Sequence, residues 1–264
     1  MTAAADDALR LFKHYDTGRF ALTLSGSMSK GTSDELSDTD FRFYSDTPRP
    51  DPGPEWDADW QAVRRRWAEK GVVLDEPWFR TVAEVDAVVD SWLGGHGTPD
   101  DLVWTVWGYH PLADLACQIP VHDPDGLVSR WRDRLEPYPD TVRHATIQKF
   151  LPALRYWRDD YHYRNKVERA DLTFLSSLTA KLIHHILQVL AAVNRVYYPG
   201  DGNNLRQAAA FHTAPEQLVS RIAAVLYPPG GSADVRAQRN GVIALIDETI
   251  AVVKNSALDE EDGA

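Results

Sequence analysis

The apolar positions of this chain change their rhythm near its middle. In the first half, several short runs alternate. Phe20–Leu24 and residues 39–44 place bulky side chains on every second position, the two-residue period of a strand with one buried face. Residues 72–82 read as a third strand, bent at Pro77. Helical spacing separates these strands. Leu9, Leu11 and Phe12 fall on one side of a short helix over residues 6–15. Trp60, Val63 and Trp67 recur about one turn apart over residues 56–70, where Gly71 supplies the stop. Residues 85–93 read as a helix closed by Gly94 and Gly95, and residues 104–109 fit either a short helix or a strand. Ile119–His122 leads into Asp123-Pro124-Asp125-Gly126, a strong turn signal, and Leu127–Leu135 continues as a helix.

After Pro139 the strand patterns nearly vanish. Residues 141–163 read as one helix, broken or kinked at Pro152. Residues 165–196 read as a long apolar helix carrying Val167, Leu175, Leu182, Ile186 and Val193, and residues 215–226 and 235–253 as two more. The prediction is an α+β chain. An N-terminal mixed β-sheet domain with helices on one face (1–138) precedes a C-terminal α-helical bundle that binds substrate (139–257). Residues 258–264 are acidic and read as a disordered tail.

Composition narrows the partners. The 264 residues carry a net charge of −11, which disfavours a nucleic-acid backbone and suits a cationic small molecule. A single cysteine, Cys117, excludes an internal disulfide and points to the cytoplasm. Neither a leader segment nor an 18-residue apolar run is expected, so no membrane partner is.

The chemistry concentrates in residues 24–44. A strand ends in Ser25-Gly26-Ser27, a small-residue turn whose backbone N–H groups and hydroxyls suit phosphate oxygens. Asp38 and Asp40 then open the next strand. Side chains two apart on a strand project from one face, and two such carboxylates repel unless a cation sits between them. Mg²⁺ favours this arrangement, with one or two carboxylates plus substrate phosphates. Lys30 sits in the same loop, within reach of a triphosphate. Arg42 shares the face of Asp40, either to contact phosphate or to pair with Asp40.

Gly26-Ser27, followed eleven positions after Ser27 by Asp38-Thr39-Asp40, resembles the signature of the polymerase β-like nucleotidyltransferases. The run from Gly31 to Asp40 and the layout, a catalytic half followed by helices, are similar to the small bacterial enzymes that nucleotidylate antibiotics of the aminoglycoside and lincosamide type. The resemblance implies that Ser27 binds the β- or γ-phosphate while Gly26 lets the backbone approach. It also implies that Asp38, Asp40 and a third carboxylate hold two Mg²⁺ ions about 4 Å apart. Asp75 and Glu76 are the candidates for the third ligand. They face opposite ways on a strand, and Glu76 is preferred.

In the helical half, Glu168 and Asp171 lie three apart on one helix face. By position in the layout, the resemblance assigns Glu168 as the base that activates the acceptor hydroxyl and Asp171 as a substrate contact. A surface salt-bridge network with Arg164, Lys166 and Arg169 is the competing reading. The expected activity is Mg²⁺-dependent transfer of AMP from ATP to a hydroxyl of a small molecule. Modification of a protein side chain, as in antitoxin-type enzymes, and non-catalytic nucleotide binding are the alternatives.

Overall fold

The computed structural model describes residues 3–15, 18–46, 53–97, 111–200, 202, 204–227 and 234–261. The expected segment 104–109 lies outside them. The chain divides into two compact units, Met1–Ser91 with Pro111–Pro137, and Trp92–His110 with Tyr138–Ala264. Its class is α+β, as the alternation of periods predicts.

The first unit is built on a four-stranded mixed sheet in the order β3-β2-β1-β4. Its strands are β1 (Phe20–Leu24), β2 (Phe41–Ser45), β3 (Trp78–Thr81) and β4 (Ile119–His122). Strand β1 pairs antiparallel with β2 and β4, whereas β2 and β3 run parallel. The register pairs Leu22 with Phe43 and Leu24 with Phe41, so these residues share one face. Helices α1 (Ala3–Tyr15) and α3 (Gly53–Ala68) cover that face. There Phe12, Trp56 and Trp60 form a stack with centroids 5.2 to 6.3 Å apart, and Phe12 meets Phe43 at 4.8 Å. Such rings supply large buried area with specific geometry.

The opposite face carries Thr23, Arg42 and Tyr44. It is covered too, by α5 (Pro111–Cys117) and α6 (Leu127–Leu135). Tyr44 packs edge-on against Trp131 of α6 at 5.0 Å and donates to Gln118, just past α5. Helices therefore lie on both faces, not on one as the sequence suggested. The cause is α5, whose apolar stretch is too short to stand out by periodicity. Two further helices complete this part of the chain, α2 (Gly26–Ser29) in the expected turn and α4 (Val82–Leu93).

The second unit is helical: α7 (Asp140–Asp159), α8 (Tyr161–Glu168), α9 (Leu172–Val193), α10 (Asn204–Ala208), α11 (Leu218–Leu226) and α12 (Val235–Glu261). Leu154, Leu182, Ile186, Leu190, Ile222, Leu245 and Ile246 form its fully buried core. Helix α9 has the length and hydropathy to cross a membrane. Its buried residues instead pack against α7, α11 and α12.

Two expected helices are each interrupted, and caps explain both breaks. Asp160 accepts hydrogen bonds from the N–H groups of His162 and Tyr163, so α8 starts afresh there, while Pro152 sits inside α7 without ending it. Ala170 takes φ +49° and Asp171 then caps α9 by accepting from Phe174 N. Aspartate bonds to free N–H groups at a helix start, which competes with helix continuation. Helix α12 also runs to Glu261, so part of the expected tail is helical.

Two half-buried histidines of α9 tie the stability of the second unit to pH. Burial drives His184 and His185 down to about 4, aided by the charges of Lys181 and Lys149 on His185. Between pH 6.5 and about 4 the unfolded chain binds protons that the folded chain refuses, so stability falls as pH drops through that window. Urea unfolding at pH 7 and pH 5 should show this loss, and His185→Gln should shrink it. An equal loss in wild type and variant would contradict the assignment.

Candidate metal and phosphate site

Backbone register builds the site. Beyond the start of β2, Thr39 N–H donates to Val73 O at 2.8 Å, and Asp75 N–H donates to Thr39 O at 3.2 Å. This isolated parallel bridge pairs Thr39 with Leu74. Both are buried, so their neighbours Asp38, Asp40 and Asp75 turn to the other face. Carboxylate oxygens of these three residues all lie within 4.8 Å of one another.

Asp75, not the preferred Glu76, therefore joins the pair. Glu76 shares the parity of Leu74 and turns toward α3, where Arg64 Nη1 and Gln61 Nε2 hold its Oε1 at 2.7 and 2.9 Å. The sequence offered both residues, and only the bridge at Thr39 decides between them. Asp75→Asn should weaken divalent-cation binding at least about tenfold, the scale of a lost metal-site group. Glu76→Gln should leave it unchanged, because a solvated ion pair contributes little. Manganese titration of both variants checks this, and the reverse pattern would refute the register argument.

The turn after β1 presses against Asp40. Ser25 N–H donates to Asp40 O at 2.9 Å, closing the sheet end. Gly26 adopts φ +61°, and a Cβ there would lie 1.8 Å from Asp40 Oδ2. Only glycine permits this approach. Next to it, the Ser27 hydroxyl is buried without a hydrogen-bond partner, which is costly unless a ligand supplies one. Lys30 follows as the C-terminal cap of α2.

Asp40 carries the electrostatic tension. Burial raises its pKa above the ordinary range, Arg42 pulls it down, and Asp38 and Asp75 push it up again. Arg42 Nη1 reaches Asp40 Oδ1 only at 3.4 Å, while its Nε donates to Asp114 Oδ2 at 3.0 Å. The guanidinium also lies 4.2 Å above the Trp78 ring. Arg42 is thus packed inside the protein, not extended toward a phosphate.

Asp114 escapes the sequence reading. It is a buried carboxylate on α5 that also accepts from Ser25 Oγ and from Gln118 Nε2. Gln118 in turn accepts from Thr23 on β1 and Tyr44 on β2. The available signal was an acid inside the apolar run Leu112-Ala113-Asp114-Leu115-Ala116. Cys117, close by, donates to Ala113 O, and burial pushes its thiol up, which disfavours the thiolate.

Glu168 and Asp171, the expected base and substrate contact, are each engaged with a basic side chain. Glu168 is exposed and ion-paired with Arg236. Asp171 caps α9 and holds Lys166 Nζ at 2.7 Å. The Lys166–Asp171 pair belongs to the expected surface network, whereas the partner of Glu168, Arg236, lies outside it.

Comparison with known proteins places one match on the chain. A family described as "Domain of unknown function (DUF4037)" matches residues 111–202. That segment begins with α5, so it supplies Asp114 and Gln118 but neither the Gly26-Ser27 turn nor the three clustered aspartates. No curated protein matches the chain.

Proposed function

We propose that this protein is a divalent-cation-dependent nucleotidyltransferase that moves AMP from ATP to a hydroxyl of a small molecule, with release of pyrophosphate. The observation that carries the reading is the convergence of Asp38, Asp40 and Asp75 within 4.8 Å beside the Gly26-Ser27 turn. Three carboxylates sharing one site need a counter-charge, and oxygen-only ligands suit Mg²⁺. These three residues would hold the metal, which supplies charge neutralisation on the triphosphate. Ser27 offers its unpartnered hydroxyl to a phosphate oxygen, and Gly26 keeps the backbone close enough for that bond. Gln118, Asp114 and Arg42 hold the supporting strands in place, so the acidic groups are positioned before substrate arrives.

The acceptor is inferred from charge. A net charge of −11 attracts cations, and an aminoglycoside-like antibiotic in the cytoplasm is the acceptor class that fits the sequence resemblance. The test is incubation with ATP labelled at the α-phosphate, Mg²⁺ and a panel of hydroxyl acceptors. Label on a small molecule supports the proposal. Label on a protein assigns the antitoxin-type activity instead, and ATP binding without pyrophosphate release assigns a non-catalytic role.

A further inference from the structure

The buried carboxylate of Asp114 lies outside the aspartate cluster, yet it touches both walls of the site. Through Ser25 Oγ it fixes the start of the turn, and through Arg42 Nε it fixes a guanidinium that lies beside Asp40. Side-chain exposures of 8% for both Arg42 and Asp114 make this a protected ion pair. Two such charges in a low-dielectric setting govern each other more strongly than exposed ones do.

Consider Arg42 without that partner. Its guanidinium would be freer to turn to Asp40, and guanidinium forms its strongest pairs bidentately with a carboxylate. The closest target is Asp40, already at 3.4 Å from Nη1. A full pairing would take up the oxygens that a cation needs. It would also set a positive group beside an incoming divalent ion. In the structure neither happens. Asp114 holds Nε at 3.0 Å and the guanidinium stacks on the Trp78 ring at 4.2 Å, and the bond from Arg42 Nη1 to Asp40 is a long one.

We propose that Asp114 is a positioning residue that holds Arg42 back from Asp40 and thereby keeps the aspartate cluster open to a divalent cation. The inference rests on the metal-site reading above. It explains why an acid is buried on α5 and why Arg42 accompanies Asp40 on the same strand face without quenching it.

The test is Mn²⁺ binding to the full chain, read by calorimetry and by the electron paramagnetic resonance of free Mn²⁺. Asp114→Asn should weaken binding at least about tenfold, the usual range when a group supporting a metal ligand is lost. The double variant Asp114→Asn with Arg42→Gln should restore binding to within about threefold of wild type, because the competing cation is gone. A purely structural role predicts the opposite, with the second substitution adding to the damage. Unchanged binding in Asp114→Asn, or no recovery in the double variant, overturns the inference while leaving the metal site standing. Should thermal melts show Asp114→Asn unfolded, the double variant decides alone. It removes both buried charges together, and a tenfold loss in it overturns the proposal. Absence of Mn²⁺ binding by the wild-type chain overturns the metal-site reading and this inference with it.

Discussion

Asp40→Asn is expected to abolish divalent-cation binding and to make the metal-free protein more stable, not less. Asp40 is partly buried between two other carboxylates, and its pKa is raised chiefly by that burial. A carboxyl group whose folded pKa is raised destabilises the fold when ionised. Stability of the metal-free chain falls as pH climbs from the ordinary carboxylate range through the raised value, and the cost persists at neutral pH. A neutral amide of the same shape removes it. Arg42 loses a weak partner at 3.4 Å but keeps Asp114 at 3.0 Å. Nucleotidyl transfer should fall about a hundred- to a thousandfold, as when a preorganised charge-stabilising group is deleted. Thermal melts at pH 7 supply the check. Wild type should gain stability on adding Mn²⁺, by about 2.7 kcal/mol at a hundred times the dissociation constant. Asp40→Asn should start higher and gain nothing. A lower melting temperature for the metal-free variant would show that Asp40 is a structural ion-pair partner.

The second large effect belongs to Gly26→Ala. The new Cβ would stand 1.8 Å from Asp40 Oδ2, 2.7 Å from its Cγ and 3.3 Å from its Cβ. Rotating the Asp40 side chain clears Oδ2 and Cγ only by taking the carboxylate out of the cluster, and it leaves the 3.3 Å contact with Cβ. A φ of +61° adds about 1–2 kcal/mol of backbone strain for alanine. Metal affinity should therefore vanish as in Asp40→Asn, but here with a loss of stability. Gly31→Ala is the control. Gly31 has φ +65°, and a methyl group added there would meet nothing within 4 Å. Alanine at that position brings strain without collision and should keep metal binding. Equal metal affinity in Gly26→Ala and wild type would mean that the turn does not abut the cluster.

The sequence disclosed the parts of this site better than their arrangement. Asp38, Asp40 and Gly26 were legible because a two-residue strand period and a small-residue turn are local signals. The choice between Asp75 and Glu76 was not, since it depends on which residue of a parallel neighbour faces Thr39. Adjacent residues on one segment have opposite parity, and one step of register exchanges them. Arg42 was rightly placed on the Asp40 face, but its main partner lies 72 positions away in sequence. No periodicity reports such a pairing. In the helical half, periodicity found the apolar stripes and overlooked the breaks. Asp160 and Asp171 each start a new helix through their own side chains, a local competition that hydrophobic spacing does not register. Asp171, expected as a substrate contact, is one of these caps.

The decisive experiment is diffraction from crystals grown with Mn²⁺ and a non-hydrolysable ATP analogue, recorded for anomalous scattering. An anomalous peak bonded to Asp38, Asp40 and Asp75 is expected, with the triphosphate against Gly26 and Ser27. Manganese bound elsewhere, or a nucleotide seated away from the Ser27 hydroxyl, would contradict the assignment.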